Sequence, residues 1–270
     1  MQMNIEIQSA KTDGFTMEYF QFGNGAKTLV ILPGLSVQSV MLSADAIAQA
    51  YQPLCEEYTI FVFDRRKEIP DPYTVQEMAL DTAAMFQTLG LEHIHLFGAS
   101  QGGMIALDIA AACPERISKL MIGSACACVT EELDCAVKEW SRLAKSGNAE
   151  ALYLSFGRAV YPQNIFEQSR VLLMEAAKRV TEADLKRFAI MAEGIKEFDV
   201  TPDLEKIRCP VLVIGNKDDR VLGQGAAETI CRNHPAFSLY MYDGYGHASY
   251  DTAPDYKARI LDFLSPELQR

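Results

Sequence analysis

Gly98-Ala99-Ser100-Gln101-Gly102 is the stretch of this chain best suited to covalent chemistry. A hydroxyl is a weak nucleophile until a neighbouring base takes its proton and a third group fixes that base's tautomer. Glycines two positions before and after the serine answer the geometric half of the problem. A sharp strand-to-helix turn lifts the serine clear of a sheet, and side chains at the two glycine positions would collide with the adjacent strand or helix. The helix beyond the turn aims its first N–H groups at whatever Ser100 attacks.

The chain has four histidines, so the search for a base is short. His93 and His95 fall in the strand before the serine, below its active edge, and read as structural. His234 precedes Pro235 near a helix end and reads as a surface residue. His247 lies in Gly244-Tyr245-Gly246-His247-Ala248, just past the last expected strand, and is the expected general base. For the acid, Gly215-Asn216-Lys217-Asp218-Asp219 lies past the penultimate strand and offers two carboxylates. Asp218 is the expected partner of His247. Asp219 reads as capping its loop or pairing with Arg220, and Asp243 is a weaker alternative. A tetrahedral intermediate carries a negative oxygen and needs donors fixed in advance. The N–H groups of Gln101 and Leu35 are expected to supply them, with Gly34 letting that backbone approach closely.

These residues need a scaffold, and the hydropathy pattern describes one. Residues 3–10 and Phe15 to Phe22 alternate apolar with polar and should pair as a hairpin through Asp13-Gly14. Thr28 to Leu32 and Tyr58 to Phe63 are continuous apolar runs, the mark of strands buried on both faces. A helix is expected from about Ala44 to Glu57, and another from about Val75 to Leu89 with Thr74 as its cap. The serine strand and its helix come next, then a strand over Lys119 to Ala125. This alternation predicts an α/β fold, a mostly parallel sheet with helices on both faces. It breaks over residues 126–209, where amphipathic helices succeed one another. Thr130 caps one helix, Ile165 to Met174 lie in another, and Thr181-Glu182-Ala183-Asp184 opens a third. That stretch is expected to be a helical cap insertion over the sheet's C-terminal edge, with residues 1–125 and 210–270 forming the core. Strands resume at Pro210 to Gly215 and Phe237 to Tyr242, and helices are expected over Gly225 to Arg232 and Ala253 to Leu264.

Composition narrows the partners. Apolar residues make up 49% of the 270, enough for a sizeable core. A net charge of −11 with no basic block disfavours nucleic acid and anionic membrane, leaving a small-molecule substrate as the expected partner. Seven cysteines without a C-x-x-C pair suggest reduced thiols in a cytoplasmic protein rather than a disulfide framework or metal site. No apolar run approaches the roughly 20 residues that span a bilayer, and the first residues do not read as a signal peptide. Neither cofactor nor metal is expected, and the oligomeric state is not legible.

With these residues in place, the sequence resembles the α/β-hydrolase superfamily, in its capped branch. The likeness rests on Pro33-Gly34-Leu35, Asp64-x-Arg66, Gly98-x-Ser100-x-Gly102-Gly103, Cys113-Pro114-Glu115-Arg116-Ile117, Cys209-Pro210-Val211-Leu212-Val213-Ile214-Gly215-x-x-Asp218 and Gly246-His247. The order of serine, acid and histidine is the order that arrangement requires. The resemblance implies Ser100 as nucleophile, His247 as base, Asp218 as its orienter and no cofactor. Two departures border the site: Pro33 stands where the family usually has histidine, and Lys67-Glu68-Ile69-Pro70-Asp71 replaces a Gly-x-Gly-x-Ser run. The expected function is serine hydrolysis of an ester-like carbonyl in a small, partly apolar substrate, of carboxylesterase or lactonase type. The alternatives are acyl transfer, C–C bond hydrolysis, or a ligand receptor with slow or single-turnover hydrolysis on the same fold.

Overall fold

The computed structural model describes residues 5–12, 14–232 and 234–265. Asp13 and the start of the first expected strand therefore lie outside the described residues. In chain order the elements are β1 (Ile7–Lys11), β2 (Thr16–Phe22), β3 (Lys27–Leu32), α1 (Ala44–Ala50), β4 (Tyr58–Arg66), α2 (Val75–Thr88), β5 (Ile94–Ala99), α3 (Gln101–Ala112) and β6 (Ile117–Gly123). Four helices come next: α4 (Glu131–Lys145), α5 (Ala149–Val160), α6 (Gln163–Ala177) and α7 (Glu182–Glu193). The chain closes with β7 (Val211–Asn216), α8 (Ala226–Cys231), β8 (Phe237–Tyr242), α9 (Ser249–Thr252) and α10 (Tyr256–Leu264).

One eight-stranded sheet runs β1-β2-β4-β3-β5-β6-β7-β8. β1 and β2 are antiparallel to each other, and β2 is antiparallel to β4. From β4 through β8 every pairing is parallel. Side chains alternate between two apolar layers. Val30 and Leu32 of β3 face the layer shared with α2, α3 and α4, while Leu29 and Ile31 face the layer shared with α1 and α10. Helices therefore cover both faces, and all six residues of β7 are buried.

Local departures from the expected elements have local causes. The helix expected from Ala44 to Glu57 stops at Ala50, because Pro53 lacks an N–H and its ring opposes a continuing α-helix; a short 3₁₀ turn over Gln52–Leu54 takes its place. β4 runs on to Arg66, so Asp64, Arg65 and Arg66 belong to a strand end rather than a loop. The helix α5, within 126–209, opens without a capping box; Asn148 caps it through its side chain, accepting from the Ala151 N–H at 3.0 Å. The expected caps at Thr74 and Thr181 are both full capping boxes, with Glu77 and Asp184.

Candidate active site

Ser100 sits between β5 and α3, at the C-terminal edge of the sheet, with φ 54° and ψ −122°. That positive φ costs a non-glycine residue roughly 1–3 kcal/mol and persists only where the surroundings enforce it. Here they do. A Cβ on Gly98 would lie 2.2 Å from the Gly102 carbonyl oxygen, and one on Gly102 would lie 2.0 Å from the Leu32 carbonyl oxygen. Backbone therefore packs on backbone around the turn. The Ser100 N–H donates to the Gly123 carbonyl at 2.8 Å, and its own carbonyl accepts from Gly103 at 2.8 Å.

The imidazole of His247 is 2% exposed and stands directly over this turn. Its Nε2 is 2.9 Å from Ser100 Oγ. Its Nδ1 lies 2.8 Å from Asp219 Oδ2 and 3.1 Å from Asp219 Oδ1. The serine and histidine expected from sequence therefore meet, but the expected acid is not the one at the ring. The carboxylate beside His247 is Asp219, and Asp218 does not reach the imidazole. β7 extends through Asn216, one residue further than Gly215, and the two adjacent aspartates point to different neighbours. Asp218 accepts N–H groups from Gly244 at 3.2 Å and Gly246 at 3.0 Å, so it fastens the loop that carries His247. Asp219 Oδ1 also accepts from Val221 and Leu222, both at 2.9 Å, which is the loop-capping role expected of it. Asp243 pairs with Lys217 at 3.4 Å and takes no part.

Burial alone would raise the Asp219 carboxyl. The His247 charge and hydrogen bond, with the N–H groups of Leu222 and Val221, instead hold it below the ordinary carboxylate range. Asp219 is thus an anion where it touches the ring, and Nδ1 is the nitrogen that carries the proton. In the neutral ring with that tautomer, Nε2 is the acceptor that faces Ser100 Oγ.

The loop after β3 comes up against the serine from the other side. A Cβ on Gly34 would lie 3.1 Å from Ser100 Cβ, and Leu35 beyond it is buried. The Gln101 side chain is 1% exposed; its Nε2 donates to the Met191 carbonyl at 2.8 Å and its Oε1 accepts from Arg65 Nη2 at 3.3 Å. The helices between β6 and β7 touch both sides of the site. Met191 of α7 meets Gln101, and the Val160 carbonyl at the end of α5 accepts from the Ala248 N–H at 2.9 Å, next to His247.

The other histidines stand apart from this group. His95 lies in β5 with Nδ1 3.1 Å from the Tyr58 hydroxyl. His93 is exposed in the turn ahead of β5, not within the strand. His234 is half-buried and stacks on Phe237 at 4.8 Å. All seven cysteines are free thiols, most of them half-buried, with Cys126 buried and Cys135 exposed. Among the described residues no group of three or more His, Cys, Asp or Glu is placed to hold a metal ion, and no helix is long and apolar enough to cross a membrane.

Residues 29–259 match the model of the alpha/beta hydrolase family. The chain belongs to that family. It is accordingly a hydrolase on the α/β-hydrolase fold. Among similar sequences is one from Caulobacter sp. (strain K31) named "Putative carbamate hydrolase RutD", 28% identical across 97% of this chain and 99% of its own length. Among solved structures, MGS-M2, an alpha/beta hydrolase enzyme from a Medee basin deep-sea metagenome library, has a TM-score of 0.86 at 22% identity, covering 96% of this chain and 97% of its own. The enol-lactonase from Burkholderia xenovorans LB400 has a TM-score of 0.80 at 18% identity, covering 96% of this chain and 100% of its own.

Sequence reasoning misses Arg65 and its neighbours. The Asp64-x-Arg66 motif marks the place, but nothing in the spacing indicates that the middle residue turns inward. Arg65 is 4% exposed, and burial lowers its pKa while the adjacent Asp64 opposes that shift.

Proposed function

We propose that this hydrolase cleaves an ester-like carbonyl, in an ester, lactone or carbamate of a small molecule, through a Ser100-His247-Asp219 triad and an acyl-enzyme. The observation that carries the reading is the unbroken line of contacts from Asp219 through His247 to Ser100 Oγ, at 2.8 and 2.9 Å. In this reading His247 Nε2 takes the hydroxyl proton as Oγ bonds to the carbonyl carbon. The resulting oxyanion is received by the N–H groups of Leu35 and Gln101. His247 then returns its proton to the leaving group, and a water deprotonated by the same nitrogen releases the acid. Asp219 stays ionised throughout and stabilises the imidazolium.

The helices between β6 and β7 would act as a cap that closes the substrate pocket. Most aromatic residues in that segment support its own packing, not a binding surface: Trp140 and Phe156 lie 4.7 Å apart, and Phe166 and Phe188 are buried. The relative named as a carbamate hydrolase spans nearly the whole chain, which supports including carbamates beside esters.

The test is labelling by a fluorophosphonate probe together with turnover on short-chain nitrophenyl esters, a lactone and a simple carbamate. The expected result is labelling abolished by Ser100→Ala and by no other serine change, with sustained turnover on at least one class. A burst equal to the enzyme concentration, without turnover, would instead support a single-turnover receptor.

A further inference from the structure

The Arg65 guanidinium is a buried charge that the acyl-transfer reading leaves unused. Burying a cation is costly unless its contacts compensate, so the groups it touches are informative. Its Nη2 donates to the Pro33 carbonyl at 2.8 Å and to Gln101 Oε1 at 3.3 Å. These acceptors belong to the two chain segments that carry the Leu35 and Gln101 N–H groups. Between Pro33 and Leu35 stands Gly34, whose missing Cβ lets the backbone approach Ser100, and a glycine by itself restricts φ and ψ less than any other residue. A fixed carbonyl one residue earlier supplies the missing constraint. On the other side, the Gln101 amide is held between Arg65 and the Met191 carbonyl.

The strand end that presents Arg65 is itself held. Asp64 accepts from Ser39 Oγ at 2.6 Å and from Arg187 Nη2 of α7 at 3.0 Å. Arg187 also donates to the Arg66 carbonyl at 2.8 Å and the Arg65 carbonyl at 3.3 Å. α7 thus grips the end of β4 through Arg187 and the serine turn through Met191, one helical turn apart.

We propose that Arg65 is a positioning residue that sets the separation of the Leu35 and Gln101 N–H groups, so that both meet the developing oxyanion at once. The inference rests on the acyl-transfer reading above. It differs from a role in substrate binding because Arg65 holds the Pro33 carbonyl and the Gln101 side chain, and through them N–H groups that matter only when the carbonyl becomes tetrahedral.

The experiment compares wild type with Arg65→Met and Arg65→Lys on an ester the wild type turns over. Removing an oxyanion donor outright costs about 10²–10³ in kcat, so loosening two of them should lower kcat by about 10- to 100-fold. KM should stay within about threefold, since ground-state binding is untouched. The pH profile of kcat should not move. Affinity for phenylboronic acid, which forms a tetrahedral adduct on serine, should fall in step with kcat, and Arg65→Lys should recover part of both losses. If Arg65→Met does not fold, Gln101→Met removes one acceptor of the same guanidinium and leaves the Pro33 contact, so it should show a smaller kcat loss, still above about threefold, at constant KM. A kcat within about threefold of wild type in the folded variants, or a rise in KM at constant kcat, overturns the assignment. Fluorophosphonate labelling of Arg65→Met at the wild-type rate overturns the assignment alone, whereas wild type that is neither labelled nor active removes the acyl-transfer reading with it.

Discussion

The serine side of the site and the imidazole side are held by different forces. Around Ser100 the constraint is steric: Gly98 and Gly102 let backbone press on backbone, Gly34 brings its loop against the Ser100 side chain, and the strained φ of 54° is locked between β3, β5 and α3. Around His247 the constraint is polar. The loops after β7 and β8 carry Asp219 and His247, and N–H groups in both loops donate to the Asp219 and Asp218 carboxylates. β8 is the sheet's edge strand and largely half-exposed or exposed, so the buried loop that carries His247 is held by these bonds and by the end of α5 rather than by β8. One side of the site is built by exclusion, the other by bonding.

Four measurements break or sharpen that contrast. Ser100→Ala leaves the turn intact and removes the proposed nucleophilic oxygen, so turnover should fall on the order of 10⁶-fold with an unchanged melting temperature. Asp219→Asn keeps the shape but offers Nδ1 an amide, and the loss should be on the order of 10⁴-fold. Asp218→Ala keeps the acid and frees the histidine loop. It should cost about tenfold in kcat and about 1–2 kcal/mol of stability, from two lost N–H bonds. If Asp218→Ala were instead as damaging as Asp219→Asn, the division of labour between the two aspartates would be wrong.

The smallest effect concerns His95, a half-buried histidine far from the chemistry. Burial, with Lys119 and Lys27 nearby, pushes its pKa down to about 4 from 6.5. Between those values the unfolded chain takes up more proton than the folded one, so native stability falls as pH drops through that window. His95→Gln should make the fall in melting temperature between pH 6.5 and pH 4 shallower, with hydrolase activity at neutral pH unchanged. An unaltered slope would show that His95 does not drive the acid sensitivity.

The same contrast explains how much is legible in the sequence. Steric rules leave signatures at fixed positions: Gly98-x-Ser100-x-Gly102 announces the turn, and apolar runs such as Thr28 to Leu32 announce the parallel strands. His247 stands out because the rival histidines sit in the wrong places. A strand read as ending at Gly215 favours Asp218 over Asp219, and a shift of one residue at a strand end reverses which carboxylate faces the ring. Arg65 is illegible for a related reason: its burial depends on β4 running three residues beyond Phe63, and on partners from β3, α3 and α7. Helix α5 escapes the sequence pattern because its cap is a lone Asn148 after a glycine, without a capping box.

The hydrogen bond from the Gln101 amide to the Met191 carbonyl bears on chimeras. Exchanging residues 126–209 for the corresponding stretch of another hydrolase is an obvious route to new selectivity. The recipient serine turn, however, expects a carbonyl from the incoming helix. A donor stretch lacking one would orphan an amide beside Ser100, and the hybrid's lost rate would be misread as poor substrate fit.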